Sequence, residues 1–348
     1  MLEVHELTKR YGAKKAVDNI SFSVPDGKVT GFLGPNGAGK STTMRMIVGL
    51  EKPTSGQALV EGKLYKTLTS PVSSVGALLD AKAVHPGRSA IQHLRSLALT
   101  HGISKKRVDE VIELTGLSAV AHKKVRGFSL GMGQRLGIAV ALLGDPHNLI
   151  FDEPVNGLDP EGVIWVRHLA RHLASEGRCV LISSHLMSEM SQTADELIVI
   201  GQGKILAHSS IKDFLARSAN DTVLVRTDDR EQLGTLLRER QLTIESHELD
   251  GLIISGSTAR EIAKIAQENN VLLHELTPQI STLEDVYMEL TKDSIEYSST
   301  GIKPSHQKEL YDPVGASESI PQATRATMFE DNSASVAPWS KGSTKETK

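Results

Sequence analysis

Nine residues, Gly34-Pro35-Asn36-Gly37-Ala38-Gly39-Lys40-Ser41-Thr42, restrict this chain more than any other stretch. They follow a short apolar run, Val29 to Leu33, and precede a segment of helical character, Thr43 to Leu50. Strand, glycine-rich turn and helix start in that order form a phosphate-binding loop. Glycines let backbone N–H groups turn inward and approach anionic oxygens that a side chain would fend off. The helix start adds unpaired N–H groups and the positive end of its dipole. Lys40 then reaches the outer phosphates, and the Ser41 hydroxyl is placed to ligate Mg²⁺. By itself the loop specifies only a nucleoside triphosphate.

Composition removes other classes of function. The 39 basic and 42 acidic residues nearly cancel, so no global positive field favours nucleic acid, and no nucleic-acid partner is expected. Aromatic residues make up 4%, which leaves few platforms for unpaired bases. The single cysteine, Cys179, lies in the apolar run Cys179 to Ile182 and reads as a buried strand residue of a protein kept in a reducing cytosol. The N-terminus lacks the apolar core of a signal peptide. No run approaches the ~20 apolar residues of a membrane span, so a soluble chain is expected, with any membrane role passing through a partner.

Strands at Leu2–Thr8, Ile20–Val24, Val29–Leu33, Gln57–Val60, Ser74–Leu79, Leu149–Phe151, Arg178–Ser183 and Leu197–Ile200 alternate with helical segments. That predicts an α/β fold, a mostly parallel sheet sandwiched by helices. The helical stretch Ala90 to Leu143 is too long for a crossover and is predicted to be a subdomain of about residues 90–145. Asp159-Pro160-Glu161 combines an N-cap, a first-turn proline and an acidic first turn. Residues 221–292 read β-α-β-β-α-β, the split unit of a small ferredoxin-like α+β domain, with a last helix from Thr282. Residues 293–348 are rich in Ser, Thr, Pro, Gly and charge and are predicted to be a disordered tail.

Four further segments carry chemistry. Leu149-Ile150-Phe151-Asp152-Glu153-Pro154 is an apolar strand ending in two carboxylates. Asp152 there reaches a Mg²⁺ shell, and Glu153 is placed as general base. Phe128-Ser129-Leu130-Gly131-Met132 puts a hydroxyl and free N–H groups at a helix start, an arrangement that serves as a plain cap or an anion site. Gly157-Leu158-Asp159 and Ser184-His185 complete the series. His168 and His172 have the spacing of a metal pair, but no third ligand accompanies them and they read as a solvated face.

Phosphate loop, capped helix, Asp-Glu strand, Gly-Leu-Asp and Ser-His, in that order over residues 1–217, resemble the ATP-binding cassette (ABC) ATPases. The resemblance implies a P-loop NTPase fold and a homodimer that closes head-to-tail over two ATP and Mg²⁺, with each site shared between chains. It makes residues 34–42 the Walker A loop and Asp152-Glu153 the end of Walker B. Ser129 and Gly131 stand where the family's signature touches the γ-phosphate on the other subunit. Asp159 stands in the D-loop, His185 at the switch histidine and Tyr11 where an aromatic stacks on adenine. Two motifs depart from the pattern. Leu130 and Met132 replace Gly and Gln in the signature, as in a drug-exporter subgroup, and Asp80 stands where a glutamine at the end of strand Ser74–Leu79 would reach the metal. The implied activity is ATP hydrolysis on the cytoplasmic face of the cell membrane. It would drive a separate integral-membrane permease that exports an antibiotic, peptide or drug. Soluble cassettes acting on ribosomes or DNA are the alternative, and they usually carry paired cassettes or long coiled coils, which this sequence lacks. A GTPase lacks support because no Asn-Lys-x-Asp motif occurs.

Overall fold

The computed structural model describes residues 1–80, 83–217, 222–247, 251–279 and 282–291. The predicted tail, 293–348, lies outside them. Strand β1 (Leu2–Tyr11) turns through Gly12-Ala13 into β2 (Lys14–Val24). Next come β3 (Val29–Leu33), α1 (Lys40–Ile47), β4 (Ser55–Val60), β5 (Lys63–Leu64), α2 (Pro71–Ser74) and β6 (Val75–Leu78). The helical stretch comprises α3 (Ala90–Thr100), α4 (Lys105–Leu114) and α5 (Leu130–Leu142). Then follow β7 (Asn148–Phe151), α6 (Pro160–Ser175), β8 (Cys179–Ser184), α7 (Met187–Thr193), β9 (Glu196–Gly201), β10 (Lys204–Ser210) and α8 (Ile211–Arg217).

Six of these strands form one sheet in the order β10-β9-β3-β8-β7-β6, parallel except for β10. Successive side chains of a strand point to opposite faces, and here both faces are covered. Leu149 and Phe151 of β7, Val180 and Ile182 of β8, and Leu197 and Val199 of β9 enter one core with the helices. The residues between them, Ile150, Cys179, Leu181, Ile198 and Ile200, enter a second core with α1. Burial on both sides is why these strands read as unbroken apolar runs rather than alternating ones.

Strands β1, β2, β4 and β5 make a separate antiparallel sheet, ordered β2-β1-β4-β5, against the second core. The cause is local. Two residues join β1 to β2, a length that only an antiparallel hairpin accommodates. Both strands also outrun their predicted ends, because their exposed charged residues hide the alternation. α1 begins at Lys40, three residues earlier than its predicted start.

Capping residues set the helix starts as predicted by side-chain chemistry. Ser89 and Gln92 form a reciprocal capping box on α3, and Asp159 accepts from the Gly162 N–H at the start of α6. Beyond residue 221, β11 (Thr222–Thr227), α9 (Arg230–Glu239), β12 (Thr243–His247), β13 (Gly251–Ser255), α10 (Ala259–Glu268) and β14 (Leu273–Gln279) make an antiparallel sheet ordered β12-β13-β11-β14. Val223, Val225, Ile254 and Ile262 lie in its own core. α11 (Leu283–Thr291) does not join that core. Its Leu283, Val286 and Tyr287 enter the helical core of the large sheet, beside α7 and α8.

Cys179 is buried, and desolvation pushes its thiol up to about 12. At neutral pH it carries almost no thiolate, the reactive form. Native protein should therefore resist iodoacetamide and label once unfolded in guanidinium, as mass spectrometry of the peptide would show. Because the native thiol holds its proton more tightly than the free one, its contribution to stability is lost as pH rises above the ordinary thiol value near 9.

Candidate functional site

The parallel sheet brings together the C-terminal ends of β3, β7 and β8. Leu33 pairs with Ser184 and Phe151 with Ile182. The loop after β3, the Asp152-Glu153 pair after β7 and His185 after β8 therefore meet at one edge, where open parallel sheets bind ligands.

Pro35 to Thr42, with Ala16 and Glu153, line a cavity of about 180 Å³. Its floor requires glycine at position 39. Gly39 has φ 111°, and a Cβ there would sit 2.6 Å from the Ala16 carbonyl oxygen. Thr43 ties the loop to the helix, its N–H and hydroxyl both donating to the Gly39 carbonyl at 2.9 Å. Lys40 is only 6% exposed. Its Nζ donates to the Gly34 carbonyl at 2.6 Å and lies 3.6 Å from Glu153 Oε1. Burial draws its pKa down, and the charges of Glu153 and Asp152 oppose that shift.

Glu153 is held from two other elements, β8 and α5. Its backbone is left-handed, φ 49°, a conformation that costs a non-glycine residue about 1–3 kcal/mol. Ser183 holds it there: its Oγ accepts from the Glu153 N–H at 2.8 Å and its hydroxyl donates to Asp152 Oδ1 at 2.5 Å. From α5, Gln134 Nε2 donates to the carbonyls of Glu153 and Asn156 at 3.4 and 3.3 Å. The Glu153 carboxylate is thus aimed into the cavity, with Oε2 2.8 Å from His185 Nδ1 and Oε1 toward Lys40. Local sequence patterns miss Ser183 and Gln134, since both act on backbone groups far away in the chain.

Tyr11, at the end of β1, is 48% exposed, with Lys9 Nζ 5.0 Å from its ring centroid. Burial first, and then Glu51, raise its pKa. Ser129, Gly131 and Asp159 do not line the loop cavity; they lie at the starts of α5 and α6. Ser129 caps α5 by accepting from the Met132 N–H at 3.2 Å. Leu130 lies over Gly157, where a Cβ would come within 2.0 Å of it, so the signature departure is matched by a glycine in the facing loop. Asp80 follows β6 and lines a second cavity, of about 730 Å³, between α1, β6 and the helices α3 and α5. Hard oxygen donors suited to Mg²⁺, the Ser41 hydroxyl and the Asp152 carboxylate, border the loop.

Such a loop, strand-end carboxylates and histidine on a parallel sheet define a P-loop nucleoside triphosphatase. Comparison with known proteins narrows the class. A family described as ABC transporter matches residues 17–156, and a domain of unknown function (DUF8746) matches residues 221–284. The bacitracin transport ATP-binding protein BcrA of Bacillus licheniformis is 37% identical over 298 residues, spanning 83% of this chain and 97% of the relative. The linearmycin resistance ATP-binding protein LnrL of Bacillus subtilis (strain 168) is 33% identical over 305 residues, 84% of this chain and 98% of the relative. The dimeric structure of the bacterial ABC transporter cassette MJ0796 superposes with a TM-score of 0.56 at 21% identity, covering 61% of this chain and 99% of that one, and supports the fold. This chain belongs to the ABC transporter ATP-binding proteins, and it is an ATPase.

Ser183→Ala removes the groups that hold Glu153 and Asp152. It should lower stability by about 1–3 kcal/mol and depress ATP turnover, checked by denaturant unfolding and phosphate release.

Proposed function

We propose that the chain is the ATP-hydrolysing subunit of an exporter, with residues 1–217 as the cassette, 221–292 as an appended βαββαβ domain and 293–348 as a tail. The observation that carries the reading is the Glu153 carboxylate, held between His185 and Lys40 at the mouth of the phosphate loop. Gly34, Pro35, Asn36, Gly37, Ala38, Gly39 and Thr42 cradle the phosphates, Lys40 neutralises their charge, and Tyr11 stacks on adenine. Ser41 and Asp152 would hold Mg²⁺, with Asp80 reaching it through water; the ion would screen the phosphate charge. Glu153 takes the proton of the attacking water, and His185 fixes the carboxylate and faces the γ-phosphate.

In a homodimer, Ser129 and Gly131 of one copy close over the ATP of the other, and Asp159 crosses beside them. Their distance from the loop cavity of their own chain supports that division. Closing and opening would drive a separate permease, docked beside Asp80 to Ser89 and the helical subdomain, at the cytoplasmic face of the membrane. Among the described residues no helix is long and apolar enough to cross a membrane, which supports a separate permease. The names of the bacitracin and linearmycin relatives favour an antibiotic, peptide or drug as cargo.

Lys40→Ala should abolish ATP hydrolysis. Glu153→Gln should keep ATP binding, lower turnover about 10²- to 10⁴-fold and trap an ATP-bound dimer visible by light scattering. Normal turnover in Glu153→Gln would remove the general-base assignment. Ser129→Ala in one subunit of a mixed dimer should impair the site that holds ATP on the other subunit. The transporter reading is tested by purification from membranes: a permease with several apolar spans should accompany the chain, whereas ATPase activity stimulated by ribosomes or DNA with no permease would overturn it.

A further inference from the structure

Tyr11 does not stand alone. β1 slips against β2 between Leu7 and Lys9 and again between Lys9 and Arg10, irregularities that re-aim side chains at the strand's end. One consequence is that the Lys9 ammonium lies over the Tyr11 ring, 5.0 Å from its centroid, within cation–π range. That ammonium is anchored on its other side. It contacts Glu51 Oε2 at 2.7 Å and donates to the Lys52 carbonyl at 2.8 Å, both just beyond α1. The Lys9 and Glu51 side chains are 15% and 25% exposed, so the pair is largely withdrawn from water. The Tyr11 hydroxyl faces the same Glu51 carboxylate, which helps to raise its pKa.

We propose that Lys9 and Glu51 are positioning residues for nucleobase recognition: Glu51 pins the Lys9 ammonium against one face of Tyr11, leaving the other face for the adenine of ATP. The inference rests on the reading of Tyr11 as the adenine platform and extends it to two residues outside the motifs. Three properties support it. Half of the tyrosine is exposed although Lys9 lies over its ring, so the ring keeps an open surface. A cation on one face withdraws π density, which favours an electron-rich purine on the other. Glu51, which holds Lys9, follows directly on α1, the helix whose first residues close the phosphate loop, so the ring and the loop are built on one connected segment.

A second explanation is that Lys9 is one more positive charge near a polyanion. The two separate on a ligand without a base. Binding of ATP and of inorganic tripolyphosphate to the full-length protein is measured by calorimetry, with KM and kcat for ATP in parallel. Lys9→Met keeps the aliphatic stem and removes the charge. It should weaken ATP about 3- to 10-fold, the range expected for one cation–π contact and part of a base stack, raise KM alike and leave kcat and tripolyphosphate binding unchanged. Glu51→Gln should give the same selective loss, and Lys9→Arg, whose guanidinium both stacks and pairs with a carboxylate, should restore ATP binding. Equal weakening of ATP and tripolyphosphate, or ATP binding unaltered in both Lys9→Met and Glu51→Gln, overturns the proposal. Tyr11→Ala serves as the control. If it fails to lower the ATP-to-tripolyphosphate ratio, the adenine-platform reading falls; if it lowers the ratio while Lys9→Met does not, only the positioning role falls.

Discussion

A cation withdrawn from water is the constraint around which the rest of this molecule is arranged. Lys40 has left water, and its ammonium meets two loop carbonyls and one carboxylate at a distance. Removing an ammonium from water costs several kcal/mol unless negative charge replaces the lost hydration. A triphosphate supplies such charge. The loop N–H groups, the start of α1 and Lys40 all present positive potential to one small cavity, and the acidic groups at its mouth are aimed, not merely nearby. Glu153 shows this best, since an unfavourable backbone is held in place by Ser183 and Gln134 from two other elements.

That aim depends on the large sheet being buried on both faces. Covered by helices on one side and by α1 with the antiparallel sheet on the other, β3, β7 and β8 have no freedom to slide. A slip of one residue would turn each apolar set to the wrong core. The loop, the carboxylate pair and the histidine, each one residue past the end of a parallel strand, inherit that fixed register. The helix α11 extends the same logic beyond the sheet, because its Leu283, Val286 and Tyr287 tie the chain after the small antiparallel sheet back to the helical core.

The sequence disclosed the parts of the site that are continuous in the chain. Gly34 to Thr42, Leu149 to Glu153 and the Asp159 cap announce themselves because strand, turn and helix start are local chemistry. The βαββαβ order was legible for the same reason, its periods changing cleanly from strand to helix. What stayed hidden depends on partners distant in sequence. Ser183 is an unremarked serine until it bonds the backbone of Glu153, Gln134 an ordinary helix residue until it reaches Asn156, and Lys9 a surface charge until Glu51 turns back from α1. Nor does any pattern within β1, β2 and β4 reveal that they leave the parallel sheet; the tight turn at Gly12 and Ala13 decides it, and its effect is tertiary.

α1 itself joins two places in the fold. Its first residues, Lys40 to Thr42, are the end of the phosphate cradle. Arg45 near its end, together with Val48 to Glu51 just beyond, forms a wall of the 730 Å³ cavity beside Asp80. Eight residues of helix measure about 12 Å, and no proline or glycine interrupts them. One helix of that length borders the phosphate loop at its first residues and the larger cavity at its last, so the two sites share a single structural member.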